Sequence, residues 1–335
     1  MKQKIGFTST VPIEIVFSAG LIPVDLNNIF ITSENPPEYI QIAEDYGFPR
    51  SYCSWIKGLF GVIIRHKIKK IIGIVQGDCS DTHSLLNILA LKNIECIPFS
   101  YPYGKNKLLM KDELQNLMDA LNVSWDDVFN TYKDIQPIRE IMYEIDEYSF
   151  TGKHVPSKDL HMWQVSASDF NGDYKRFKRD ISGYIKGIKD EKNVPLRLGY
   201  IGVPPIVTDL YDFIDAKGAR VMYQEVQRQF TFPKLWNKEV NDKNLKKEYI
   251  KQYLDYTYPY SVFNRIEDIQ TEIKRRGLKG IIHYVQSFCH RQAEDIVFRK
   301  QLDIPILTLE EDRPGKLSAR SKVRLEAFIN MIKDK

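Results

Sequence analysis

The chain has 335 residues, of which 43% are hydrophobic and 27% charged, a balance typical of a folded globular protein. Its 48 Lys and Arg residues exceed its 44 Asp and Glu residues by four, and the two signs are interleaved, which argues against a nucleic-acid partner. No apolar stretch approaches the roughly 18 residues of a membrane span, so we expect a cytoplasmic protein with no membrane partner.

The first part of the chain alternates short apolar runs with segments of helical period, as in strands and helices around a parallel sheet. The run "KIGFTST" precedes a helix predicted from about Pro12, and "LIPVDL" follows that helix. The run "KIIGIVQGDCSDT" precedes a helix predicted from about Asp81, and "IECIPFSYP" is the fourth apolar run. We therefore predict an N-terminal α/β lobe over residues 1–110.

The middle of the chain has the 3.6-residue period of helices. This period is clearest in "WDDVFNTYKDIQPIREIMYEID" and continues in "LHMWQVSASDF". The sequence therefore predicts a helical segment over residues 111–192.

The last part repeats the strand and helix alternation. The run "LRLGYIGVPPI" precedes a helix predicted from about Val207, and "GARVMYQEV" follows. The runs "KGIIHYVQSFC" and "IPILTLEED" precede helices predicted from about His290 and Leu317. A C-terminal α/β lobe over residues 193–335 would thus also hold about four strands. Two such lobes place a cleft at the carboxyl ends of their strands, where open parallel sheets bind ligands.

The chain has four cysteines, too few and too scattered for a disulfide framework. Cys79 and Cys289 each follow an apolar strand and precede a helix, and Cys53 opens a helix after a turn that contains proline. A helix N-terminus favours the thiolate, the form that binds metal or attacks an electrophile. Cys96 lies inside the apolar run "NIECIPF", which favours a core position.

The spacing of the other three cysteines matches neither a local zinc motif nor a ferredoxin motif. Each could be a small buried hydrophobe, which is the commoner role. Their similar positions in two facing lobes favour convergence in the cleft instead. There, three thiolates could hold an iron–sulfur cluster with one iron left without a cysteine, or a zinc ion.

Several motifs in order carry a resemblance to a known family. They are "TSTVPIEIVFSAGLIPVDL", "CSWIKGLFG", "GDCSDT", "RGLKGIIHYVQSFCHRQAED", "IPILTLEED" and "GKLSARSKVRLEAFINM". On these motifs the chain resembles a subunit of the 2-hydroxyacyl-CoA dehydratase and benzoyl-CoA reductase family over almost its whole length. The resemblance implies two flavodoxin-like lobes with parallel four-stranded sheets. It also implies a [4Fe–4S] cluster in the interlobe cleft, held by Cys53, Cys79 and Cys289.

The family also implies partners and a reaction. An ATP-hydrolysing iron–sulfur activator protein would deliver single electrons at very low potential. In the dehydratases that electron makes a ketyl radical from a 2-hydroxyacyl thioester, which loses its hydroxyl group. Reductase relatives reduce their substrates instead. The subunit would work as a homodimer or as a heterodimer with a homologous subunit, on a small-molecule substrate for which an acyl-CoA is one candidate.

Three further residues are candidates for catalysis. Glu14 is a carboxylate at an otherwise apolar helix start, where its negative charge could simply be stabilised by the positive end of the helix. The family resemblance implies the alternative, that Glu14 lies near the cluster or substrate as a polar contact or an acid/base group. Gln286 and His290 flank Cys289 near the strand end and are cleft candidates. "GYIGVPPI" lacks the G-x-G-x-x-G fingerprint of dinucleotide binding, and no GxxxxGK[ST] loop indicates ATP hydrolysis by this chain.

The leading hypothesis is therefore an iron–sulfur component of a dehydratase-like or reductase-like system. The alternatives are a non-catalytic electron-transfer or scaffold subunit, a reductase of a substrate without CoA, and a zinc protein that uses the same three cysteines.

Overall fold

A computed structural model of the chain describes residues 3–192, 195–230 and 243–334. The described strands form two sheets. The first holds β1 Lys4–Phe7, β2 Ile22–Asp25, β3 Lys70–Gln76 and β4 Glu95–Ser100, and the second holds β5 Leu196–Gly202, β6 Ala219–Gln224, β7 Gly280–Gln286 and β8 Ile306–Glu311. Within each sheet all of these strands pair in parallel, in the order β2-β1-β3-β4 in the first sheet and β6-β5-β7-β8 in the second. This is the flavodoxin-like order twice, which confirms the predicted α/β fold of two four-stranded lobes.

The helices cover both sheets and fill the middle of the chain. Those of the first lobe are α1 Ile13–Ser18, α2 Leu26–Thr32, α3 Pro36–Tyr46, α4 Ser54–Arg65 and α5 Asp81–Ala90. The middle helices are α6 Lys107–Leu121, α7 Trp125–Tyr148, α8 Ser157–Ser166 and α9 Tyr174–Gly187. The remaining ones are α10 Leu210–Ala216, α11 Glu225–Gln229, α12 Leu245–Leu254, α13 Val262–Arg276, α14 Glu294–Gln301 and α15 Ala319–Lys333.

Local sequence signals explain where these elements begin. The longest middle helix, α7, begins after Ser124, whose hydroxyl and backbone N–H pair reciprocally with Asp127 in a capping box. The central strand β7 is buried along its whole length, as expected for a parallel strand covered by helices on both faces. The middle block is helical as its period predicts, while the domain boundaries 1–110, 111–192 and 193–335 stay a prediction.

Two helix starts differ from the sequence prediction. Helix α10 begins at Leu210 rather than about Val207, because Val207 forms an isolated bridge with Gly315 and so cannot enter the helix. At His290 the chain first makes a 3-10 turn, His290–Ala293, before α14 begins at Glu294.

The hydrophobic core is not divided at the predicted boundaries. One cluster combines the inner side of the first sheet with α6 and α7, and it also includes Leu245, Tyr249 and Tyr253 of α12. A second cluster runs from Leu26 in the first lobe to Ile332 in the second. The two lobes are therefore packed together through shared apolar side chains.

Within the described residues, no helix combines the length and apolar character needed to cross a membrane.

Candidate functional site

A cavity lies between the carboxyl ends of the two sheets. Its volume is about 160 Å³, close to the roughly 150 Å³ of a cavity that binds benzene. The first lobe contributes residues 8–10 after β1 and 77–82 after β3, and the second contributes 203–204 after β5 and 288–291 after β7. In both lobes these are the two strands where the strand order reverses, which is the position at which such sheets bind ligands.

The three cysteines that the sequence singles out all line this cavity. Cys53 is the N-cap residue of α4, Cys79 lies just before α5, and Cys289 precedes the 3-10 turn. Each sulfur accepts a hydrogen bond from the backbone N–H two residues further along the chain; those donors are Trp55, Asp81 and Arg291. Three segments distant in sequence thus present a sulfur to one space in the same way.

Cys96 has a different environment. It lies in β4 and does not line the cavity. Its Sγ faces the carbonyl oxygens of Leu86 and Ile94, at 4.0 and 3.5 Å, so it acts as a weak S–H donor. This contrast makes Cys96 a natural control for the other three.

The protein alone does not favour thiolates at the cavity. Burial, followed by the charge of Asp78, raises the pKa of Cys79 to about 12. Burial also raises the pKa values of Cys53 and Cys289, although backbone N–H groups oppose the rise. The charge of Cys289 contributes to the raised pKa of Cys53, and the charge of Cys53 contributes to the raised pKa of Cys79. The three sulfurs therefore lie within electrostatic reach of one another. Ionisation of all three would therefore require added positive charge, which a metal group supplies.

Cysteine sulfur is a ligand both of zinc and of iron–sulfur clusters, and the cavity offers three such donors. Zinc binds sulfur at about 2.3 Å, which holds its ligand sulfurs within roughly 4 Å of one another. Among the described residues, no three His, Cys, Asp or Glu side chains are arranged to hold one metal ion. In a [4Fe–4S] cluster each cysteine binds a different iron, so the sulfurs stand further apart. Three cysteines around one cavity thus supply the sulfur donors that a [4Fe–4S] cluster with one open iron would need.

Gly77 shapes the turn that carries Cys79. Its φ is +93°, and a Cβ there would lie 2.7 Å from Tyr101 Cβ and 3.0 Å from Pro259 Cβ. Both the backbone conformation and the close approach require glycine.

Gln286 and His290 also line the cavity, whereas Glu14 does not. The Gln286 side chain is fixed by a 2.7 Å hydrogen bond from its Nε2 to the backbone oxygen of Asp312. Burial, followed by the positive charge of Arg291, lowers the pKa of His290 and so favours its neutral imidazole. Their roles in catalysis stay predictions.

Glu14 is buried in the first lobe with a relative exposure of 0%. One carboxylate oxygen lies 2.5 Å from Arg139 Nη2, and the other accepts hydrogen bonds from Tyr253 at 2.6 Å and Tyr249 at 3.2 Å. These contacts occupy the carboxylate and favour a structural role. Its assignment to catalysis stays a prediction.

A pair of buried carboxyl groups beside the cavity was missed in the sequence. Asp25, at the end of β2, lines the cavity, and its backbone N–H donates to Asp169 Oδ2 at 2.8 Å. Burial, followed by the nearby charge of Asp25, raises the pKa of Asp169 to about 7. The aspartate at the end of "LIPVD" was a visible signal, because it ends a strand, but nothing in the sequence pointed to Asp169.

Two further wall residues were also not anticipated. Tyr258 lies between α12 and α13, and the guanidinium of Arg291 stacks over its ring at 3.9 Å from the centroid. Thr82, the last residue of the "GDCSDT" motif, lies in the first turn of α5 and was given no role from the sequence. Tyr258 could not have been found from strand ends, because it is brought to the cavity by a loop.

Together the fold and the site define a class of protein: two flavodoxin-like lobes that face a common ligand cavity bearing three cysteines. The chain belongs to the family described as "2-hydroxyglutaryl-CoA dehydratase, D-component", whose match covers residues 8–332 and so includes the whole cavity. The family resemblance drawn from the motifs is thereby confirmed. Comparison with curated proteins gave no match.

Proposed function

We propose that this chain is the component of a 2-hydroxyacyl-CoA dehydratase-type system that holds a [4Fe–4S] cluster through Cys53, Cys79 and Cys289. One observation carries the proposal: these three cysteines, and not Cys96, bring their sulfurs to one cavity at the carboxyl ends of both sheets. Family membership supports the dehydratase-type assignment.

The protein's own groups have defined tasks in this proposal. When bound, the cluster supplies single low-potential electrons to a substrate beside it. The backbone N–H groups that reach the three sulfurs stabilise their negative charge and tune the potential. Burial of the cavity wall excludes water, which strengthens each of these interactions. Arg291, held over Tyr258, places a positive charge at the wall near the negatively charged sulfurs.

We propose further that the chain is a lyase component that removes water from a 2-hydroxyacyl thioester. Its electrons would come from an ATP-hydrolysing iron–sulfur activator, and it would assemble with a second copy or with a homologous subunit. Reduction of a small substrate is the second activity to be tested. A turnover assay with activator, ATP and a reductant separates them, because dehydration yields an unsaturated thioester without net consumption of electrons.

Anaerobic purification followed by iron, sulfide and EPR analysis tests the cluster. We expect iron and acid-labile sulfide in the ratio of a [4Fe–4S] cluster, and its loss in Cys53→Ser, Cys79→Ser and Cys289→Ser. Cys96→Ser is the matched control and should retain the cluster. Wild-type iron and sulfide content in the first three variants, or an equal loss of iron and sulfide in Cys96→Ser, would contradict the proposal.

Substrate binding distinguishes a catalytic component from the alternative, an electron-transfer or scaffold subunit. A catalytic component should bind an acyl thioester itself, whereas a scaffold subunit should load a cluster and bind none. Equilibrium binding of 2-hydroxyacyl-CoA thioesters to the isolated, cluster-loaded chain measures the difference.

A further inference from the structure

Arg291 ties the turn that carries Cys289 to the turn that carries Cys79 in the other lobe. It lies two residues after Cys289, lines the cavity and is 9% exposed. Its Nη2 donates to the backbone oxygen of Gly77 at 3.4 Å. Because Gly77 lies two residues before Cys79 and also lines the cavity, one guanidinium spans the boundary between the lobes at the cavity wall.

Two further contacts fix the orientation of this guanidinium. Its Nη1 donates to Glu294 Oε1 at 3.0 Å, and its Cζ lies over the Tyr258 ring, 3.9 Å from the centroid. The other carboxylate oxygen of Glu294 pairs with Arg265, which binds Glu225 through two N–H groups. A planar, forked guanidinium serves all three of its neighbours at once, whereas a lysine ammonium has neither the plane to stack nor the fork.

The other end of the same turn is also tied to the first lobe. Gln286, at the end of β7, donates through its Nε2 to the backbone oxygen of Asp312 at 2.7 Å. The Asp312 carboxylate accepts a hydrogen bond from Ser54 Oγ at 3.4 Å, and Ser54 directly follows Cys53. The turn of Cys289 is thus connected at its start to the segment of Cys53 and at its end to the turn of the remaining cysteine.

None of these contacts uses a cysteine sulfur or requires a metal group. Fixing three segments from two lobes around one cavity costs conformational entropy, and the contacts made by the protein itself offset that cost before a cluster binds. Removal of groups that orient metal ligands from behind typically lowers metal affinity by about 10- to 100-fold.

We propose that Arg291 is a positioning residue that holds the Cys79 and Cys289 turns in their binding geometry across the two lobes, so that the site is assembled before the cluster arrives. The inference rests on the proposed function only for the identity of the group that the sulfurs hold. The planar fork is what this role requires, because a positive charge alone does not reach Gly77, Glu294 and the aromatic ring together.

Hydrogen exchange of the cluster-free chain, measured by mass spectrometry, tests this assembly without any cluster. Arg291→Met removes both the fork and the charge, while Glu294 stays paired with Arg265. We expect faster amide exchange at residues 77–82 of the first lobe as well as at residues 288–291, with unchanged exchange in the strands of both sheets. Arg291→Lys keeps the charge but not the fork, and it should show the same increase.

Arg220→Met is the matched control. Arg220 is 7% exposed and pairs with Glu191, and it is not among the described residues that line the cavity. Exchange at both turns should stay at the wild-type level in this variant. When the reconstituted proteins are challenged with an iron chelator, both Arg291 variants should lose the cluster roughly 10- to 100-fold faster than the wild type and the control.

Wild-type exchange at residues 77–82 in Arg291→Met overturns the inference, because the tie would then not hold the turn of the other lobe. Recovery of wild-type exchange and cluster retention in Arg291→Lys overturns it as well, since the charge alone would then suffice. If the wild type takes up no cluster, the proposed function fails, and the exchange of the cluster-free chain still decides whether Arg291 assembles the turns. Should Arg291→Met not fold, the same peptides of Arg291→Lys decide.

Discussion

The ion pair between Glu14 and Arg139 offers a sharp test of what the glutamate does. Glu14 on α1 is 0% exposed and Arg139 on α7 is 4% exposed, so water solvates neither charge. Burial disfavours the charged guanidinium, but Glu14 and neighbouring tyrosines outweigh it and raise the pKa of Arg139. Removal of one partner from such a pair leaves an uncompensated buried charge.

Glu14→Gln keeps the volume of the side chain and an acceptor for Tyr253, and removes only the charge. We expect it to lower the free energy of unfolding by about 3–5 kcal/mol, and Arg139→Met to do the same. In the double variant no buried charge is left without a partner. The free energy of unfolding of the double variant should therefore fall by less than the sum of the decreases in the two single variants. The difference should be about 2 kcal/mol or more, within the range of couplings measured for contacting residues.

Equilibrium urea unfolding followed by tryptophan fluorescence measures all four proteins. Iron content and thioester binding of the double variant give a second readout. If Glu14 is structural, the double variant should load and bind as the wild type does. The electrostatic reasoning would be refuted if each single substitution lowered the free energy of unfolding by less than about 1 kcal/mol and the two decreases were additive in the double variant. A stable double variant that no longer binds or turns over substrate would instead support a catalytic Glu14.

Two other predictions concern stability. Burial lowers the pKa of His161 from 6.5 to about 4. Between these pH values the unfolded chain binds a proton that the folded chain does not, so the free energy of unfolding falls by about 3 kcal/mol as the pH falls through them. In His161→Gln, urea unfolding at pH 4 and pH 7 should show that this part of the acid sensitivity is removed. In α4, a Cβ on Gly61 would lie 2.1 Å from the backbone oxygen of Tyr39, so Gly61→Ala should destabilise by at least about 1–3 kcal/mol. Gly183 in α9 faces open space, and Gly183→Ala should instead stabilise by about 0.5–1 kcal/mol; equal urea midpoints for the two glycine variants would contradict this packing argument.

The sequence specified the elements of the fold because each signal is local. The apolar runs became the eight described strands, and the helix predicted from Asp81 begins there. The start of α10 was misplaced because Val207 pairs with Gly315, more than a hundred residues away. A periodicity argument contains no information about such a contact.

The candidate site likewise contains residues that the sequence could locate and contacts that it could not. Strand ends and helix starts identified Cys53, Cys79 and Cys289 as neighbours of one cleft, since parallel strands bring their carboxyl ends together. Glu14 sits on a helix start as expected, but its partners on α7 and α12 could not be read from the sequence. The orientation of the Gln286 amide depends on one carbonyl oxygen after β8, a detail that only three-dimensional packing decides.

The position of α12 has a consequence for how the chain could be divided. This helix follows β6 of the second lobe in sequence, yet its Tyr249 and Tyr253 complete the core of the first lobe and hold Glu14. The polypeptide therefore enters the second lobe, returns to the first and crosses again before β7. A nick near residue 192 would not release two autonomous fragments, because the N-terminal piece would lack part of its own interior. Separately expressed halves should regain that interior only by associating with each other.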